Sequence, residues 1–381
     1  MNKVLLGDVV KRVKDKVDKS NTNLKYYIGG EHFDNGEIVI SKKGTIQGST
    51  IGPAFHMRFK PGNVLLMSRN PHLRKAGVVN FEGICSDVSY VCETKDESVL
   101  KQSFLPFIFQ SDDFWGFAEA NKKGSTNFFL NWSDFEKYEF NLPNIKEQEK
   151  LSELLWAAND TKEAYKNLLL LTNEFVKSQF MEMIDLCFVL GQVLKLNELI
   201  IPERPITYGI LKPGTNVVGG IPVIKVKDFP NGFINQSDLL LTTPEIDAQY
   251  QRSKLLPTDL LISIRGSVGR MAEVPENLVG ANITQDTARL SIKPEYDRVY
   301  VRGVLESYAL QKIMQEHIRG IAVKGINIAD VRKLPIAIPD KSSQERLASI
   351  YRQSAKAKFE LKQTISSLEN TVKSIIKQYI G

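Results

Sequence analysis

Two stretches of the chain carry apolar residues at helical spacing, and each comes after a proline that ends an extended run. After Pro143 the positions Leu151, Leu155, Ala158, Tyr165, Leu169, Thr172 and Val176 fall on three- and four-residue steps. After Pro339 the set is Leu347, Tyr351, Ser354, Leu361, Ile365, Leu368 and Val372, continued by Ile375 and Tyr379. This spacing predicts a long amphipathic helix in each place. Neither tail holds proline or glycine before Gly381. About 36 residues at about 1.5 Å each give a rod of roughly 55 Å. A seam of about five heptads is more than a small module can cover, so each helix is expected to pack on the other. Lys162 and Lys358 interrupt the seam at equivalent positions. They are either snorkelling lysines at its edge or a polar pair that fixes register.

Outside the helices the pattern shortens. Gly36 to Ile40, Val64 to Met67, Ile221 to Val226 and Leu260 to Ile264 read as strands, with Pro61-Gly62, Pro213-Gly214 and Gly219-Gly220 as turns. Arg302 to Glu316 is the clearest helical stretch within residues 205–325. Both β-rich segments, 20–130 and 205–325, read as mixed α/β modules with a twisted, largely antiparallel sheet.

The modules and tails are two copies of one unit. Asn131 to Glu149 aligns without a gap on Asn327 to Glu345, an offset of 196, with identities at Asn131/Asn327, Asp134/Asp330, Lys137/Lys333, Pro143/Pro339, Gln148/Gln344 and Glu149/Glu345. The register continues to Val176-Lys177-Ser178 against Val372-Lys373-Ser374. Upstream, Pro61 to Arg69 lies over Pro257 to Arg265, and Arg74 over Arg270. So long a period is a tandem duplication rather than a solenoid.

Composition narrows the classes. The 381 residues carry 42% apolar and 25% charged side chains, ordinary for a globular protein. No apolar run is long enough to span a bilayer and no secretory signal is visible, so a cytoplasmic setting is expected. Cys85, Cys92 and Cys187 are too scattered for a disulfide framework or a zinc site, and His32, His56, His72 and His317 lack metal-ligand spacing. No phosphate loop or dinucleotide fingerprint occurs. Asn70-Pro71-His72 lacks the second proline and the aromatic of an amino-methyltransferase site, and Asp340 lacks the partners of a Pro-Asp nuclease. A net charge of +6 is compatible with nucleic acid without requiring it.

The remaining candidates suit DNA. Arg69 and Arg74 in the first module match Arg265 and Arg270 in the second, and arginine serves both phosphate contact and bidentate base readout. Because Arg69 and Arg265 persist in otherwise diverged modules, a shared structural or phosphate role is favoured over base reading. Lys42, Lys43, Lys122, Lys123 and Lys324, with Arg58 and Lys75, are candidates for backbone contacts, and Tyr208 and Arg252 are further candidates.

Tyr208-Gly209-Ile210, Gly220 to Ile224 and Leu256 to Gly269 resemble a target-recognition domain of type I restriction–modification specificity subunits. Leu142-Pro143…Glu147-Gln148-Glu149 and Ile338-Pro339…Ser343-Gln344-Glu345 resemble that family's conserved regions, with Ser343 where a glutamate is usual. The resemblance implies recognition domains at 1–143 and 187–339 and conserved long helices at 144–186 and 340–381, packed antiparallel as a coiled-coil-like spacer. It also implies a non-catalytic subunit that reads a bipartite double-stranded DNA site, one module per half. Two methyltransferase subunits holding S-adenosylmethionine, and restriction–translocase subunits using ATP and magnesium, would be its partners in host defence. The alternatives are a duplicated regulatory DNA-binding protein and a nuclease with an unrecognised site.

Overall fold

A computed structural model describes residues 2–18, 22–230, 232–320 and 324–381. The mixed α/β reading holds, and the two modules share one topology. In the first, a four-stranded sheet runs in the order Val10–Val13, Ser89–Thr94, Val64–Met67, Ala76–Val78. In the second the same order is Thr207–Tyr208, Thr287–Ser291, Asp259–Ser263, Met271–Glu273. Each module adds a second sheet centred on a parallel pair, Tyr26–Ile28 with Gly83–Ser86 and Ile221–Ile224 with Asn282–Ile283. A short antiparallel ribbon leads into each tail, joining Asn2–Leu5 to Glu139–Leu142 and Val193–Lys195 to Pro335–Ala337.

The unbroken apolar run of the central strand results from burial on both faces. Strand side chains alternate, so Val64 and Leu66 enter the core shared with the helices while Leu65 and Met67 enter the core between the sheets. Leu260 and Ile262 separate from Leu261 in the same way in the second module.

Two local expectations need correcting. Gly36 to Ile40 is no strand: Gly36 turns at φ 78° and only Val39 bridges, to Val78. Arg302 to Glu316 belongs to two helices, Arg298–Glu306 and Tyr308–Glu316. Ser307 is extended between them and caps the second through its hydroxyl.

The tails form helices α1 (Ile145–Val189) and α2 (Lys341–Tyr379). Compactness divides the chain into unit 1, Met1–Asn167 with Leu361–Gly381, and unit 2, Leu168–Glu360. In unit 1, Leu151 and Leu155 of α1 share the module core with Ile376 and Ile380 at the end of α2. In unit 2, Phe180 and Ile184 of α1 meet Leu347 and Ala348 of α2, and Phe180 stacks on Tyr300 with centroids 5.9 Å apart. Within each unit the early part of one helix therefore faces the late part of the other, which is antiparallel packing.

The repeated Pro…Gln motif is the seat of each module. Gln148 is fully buried; its Nε2 donates to the carbonyls of Pro143 (2.8 Å) and Val99 (2.9 Å), and its Oε1 accepts from Lys101 N (2.9 Å). Gln344 repeats this, donating to Pro339 O (2.9 Å) and accepting from Asp297 N (3.2 Å). Asn144 and Glu147 cap α1 reciprocally, whereas in α2 Asp340 accepts from both the amide and the hydroxyl of Ser343. Ser343 thus replaces the glutamate of the first copy without loss of the cap.

Gln148→Leu strands three hydrogen-bond partners, one buried and two part-buried, and is expected to destabilise unit 1 by about 2–3 kcal/mol. Gln344→Leu, with two such bonds, is expected to cost unit 2 less. Urea unfolding monitored by circular dichroism checks the order. It can be read together with tryptophan fluorescence, which reports unit 1 because Trp115, Trp132 and Trp156 all lie there.

Candidate nucleic-acid interface

At the exit of the central strand each module builds the same basic cluster. Arg69 bridges to Phe129, which also bridges to Lys123; Arg265 bridges to Gly325, which also bridges to Arg319. The two sets coincide at the offset of the duplication. Arg69, Arg265, Arg319 and Lys324 are exposed, and Gly266 N donates to Lys324 O at 2.9 Å, which brings that lysine beside Arg265. Arg265 Nη1 donates to Gln285 Oε1 at 3.0 Å. Arg270 is exposed on the next turn, with its backbone N–H held by Ser263 Oγ. Arg319 did not figure among the sequence candidates, although its alignment with Lys123 marks it as a repeated basic position.

Several other candidates are engaged inside the first module. Lys42 pairs with Asp34 at 2.6 Å, Arg58 with Glu82 at 3.2 Å and Lys123 with Asp134 at 2.7 Å. Lys43 lies over the rings of Tyr26 and Phe81, and Lys122 over Phe128. Lys75 Nζ donates to Gly30 O at 2.6 Å. Arg74 sits in the left-handed region at φ 49° and pairs with Asp112 at 2.5 Å. In the second module Tyr208 is 45% exposed on an edge strand, and Arg252 is exposed with its carbonyl accepting from the buried Arg289. Among the described residues no group of His, Cys, Asp or Glu is placed to hold a metal, and no helix is long and apolar enough to cross a membrane.

Each module is also tied to a helix, by different chemistry in the two copies. After the turn at Gly36, Glu37 reaches Lys162 of α1 at 3.1 Å and also pairs with Lys166. Lys162 is only 7% exposed, so it does not snorkel into solvent. The matching turn at Gly232, φ 84°, presents Phe233, whose ring lies 6.3 Å from that of Phe359 on α2. Lys358, the counterpart of Lys162, donates to Asn173 of α1 at 3.1 Å, a polar contact across the seam. Burial pushes the Glu37 carboxyl up, but hydrogen bonds from Lys166 and Lys162 outweigh it and leave the acid below its ordinary value of 4.5.

Residues 196–370, which hold the second module and most of α2, match the family described as the type I restriction modification DNA specificity domain. The type I restriction enzyme EcoBI specificity subunit of Escherichia coli is 28% identical over 188 residues, 48% of this chain. The match spans 39% of the length of that relative. The S subunit of a type I restriction–modification system from M. genitalium aligns over 100% of this chain and 96% of its own, with a TM-score of 0.63 and 13% identity. A structure of type I restriction–modification complex assembly and conformational transition aligns over 99% of this chain and 97% of its own, at 0.51 and 18%. The whole chain thus has the fold of a type I specificity subunit.

Glu37→Gln leaves the buried Lys162 with Glu163, at 3.6 Å, as its remaining counter-charge and is expected to cost unit 1 about 1–2 kcal/mol at neutral pH. Because folding lowers the Glu37 pKa, its contribution is complete above about 4.5 and fades as the pH falls through the folded value. Urea titrations at descending pH should show wild type and variant converging; a constant gap would mean that Glu37 is not the titrating tether.

Proposed function

We propose that this chain is the DNA-specificity subunit of a type I restriction–modification complex and carries no catalytic site of its own. Each module reads one half of a bipartite site. The long helices hold the unread gap between halves and dock two methyltransferase subunits, with S-adenosylmethionine bound there. Restriction subunits supply the ATP- and magnesium-dependent steps. One observation carries this reading: an equivalent basic frame, Arg69–Phe129–Lys123 and Arg265–Gly325–Arg319, is built twice on the same topology. A two-fold reader needs such a pair, because half-site spacing mirrors the symmetry of the protein. Contacts shared by both modules suit the uniform phosphate backbone, while the diverged loops around them suit unlike bases. Pairs already closed within the module, such as Arg58–Glu82, are weaker phosphate ligands than the open arginines.

Arg265→Ala and Arg319→Ala should each weaken binding to all sequences alike and lower the salt dependence of log K by about 0.9 per lost phosphate contact. Salt-titrated fluorescence anisotropy on cognate and scrambled duplexes measures this, and a loss confined to cognate DNA would reassign the residue to base reading. Genome-wide mapping of methylated adenine with and without the gene tests the function itself: a split motif should vanish. Adding about one turn to both long helices should change the unread gap of that motif, and an unchanged gap would exclude them as the spacer.

A further inference from the structure

Behind the Glu37 tether, unit 1 encloses a cavity of about 230 Å³ between the module and both helices. Its walls are mixed: Ile38, Trp115, Leu368 and Val372 supply the apolar surface among polar and charged neighbours. The charges on its walls are already met: Glu37 binds Lys162 and Lys166, and Arg74 binds Asp112. Asn159 is different. It lines the cavity, is 4% exposed, and its side chain makes no hydrogen bond among the described residues. A carboxamide facing a cavity holds donors and an acceptor side by side, open to a ligand. At the rim, Glu369 and Lys373 stand one turn apart on α2, and neither has an ion pair among the described residues.

We propose that this cavity binds an adenine nucleotide, with the base inside against Asn159 and the sugar-phosphate at the rim. An asparagine side chain pairs in bidentate fashion with the adjacent donor and acceptor of adenine, N6 and N7. With Glu37, Arg74 and Lys162 already paired, the apolar walls between them suit a flat uncharged ring rather than an ion. At the rim, Glu369 can accept from ribose hydroxyls and Lys373 can hold a phosphate. The duplication supports a ligand role for Asn159, because the equivalent residue of α2 is Ala355 and the helix needs no carboxamide there. The bound base would lie against Glu37 and Lys162, so occupancy would brace the tether of the first module. This site is separate from the basic frame, and its test needs no DNA.

Trp115 lines the cavity and serves as the reporter. Titration of the full chain with AMP should change tryptophan fluorescence saturably and raise the unfolding temperature of unit 1, with GMP and UMP giving weaker effects. Asn159→Ala, the residue already present in the other copy, should weaken AMP binding by about tenfold or more while leaving the circular dichroism spectrum unchanged. Lys373→Ala should weaken AMP by about two- to fivefold and leave adenosine unaffected. The same titration with an oligonucleotide carrying an unpaired adenine distinguishes a free nucleotide from an extruded base as the source. No saturable response to AMP, adenosine or the oligonucleotide, or equal affinities for wild type and Asn159→Ala, would overturn the proposal and leave a water-filled cavity.

Discussion

The buried glutamine at the start of each long helix is the contact on which the architecture depends. It ties the proline that ends the module, the helix beyond it and the backbone of a distant loop at Lys101 or Asp297. A carboxamide at that depth is tolerated only with its bonds made, so the geometry around it is narrow. Module and helix are thereby fixed as one piece, and antiparallel helix packing within each unit closes its apolar stripe. Since the lock engages main-chain groups of the module, the side chains of the module can diverge without losing the seat.

That freedom shows in the features the copies keep and those they change. Strand order, helix starts and the basic bridge at the strand exit are retained. The tether to the helix is not, being an ion pair to Lys162 and Lys166 in one copy and an aromatic contact in the other. A partly buried ion pair weakens with salt and acid, whereas an apolar contact does neither. The two module–helix tethers therefore respond differently to the same solution conditions.

Much of this was legible in the sequence. The long helices, the central strands at Val64–Met67 and Asp259–Ser263, and the duplication come from sustained periodicity and a constant register. Local failures have local causes. Gly36 to Ile40 ends in three β-branched residues like a strand, but a glycine at positive φ redirects the chain to the helix. Arg302 to Glu316 keeps one apolar face through Ser307, which breaks the backbone and caps the helix Tyr308–Glu316. At the site, the repeated arginines could be found by alignment, and Arg319 could have been. The Glu37–Lys162 pair could not, because it joins residues 125 positions apart that no periodicity links.

The turns at Gly36 and Gly232 share a backbone conformation, and the group each offers the helix is decided by the next residue alone. Binding strength at that joint is then a one-codon setting, inherited apart from the loops and strands of the module. A lineage could stiffen or loosen the attachment of one module while its exposed surface stayed the same, so mechanical compliance and surface chemistry can evolve on separate clocks.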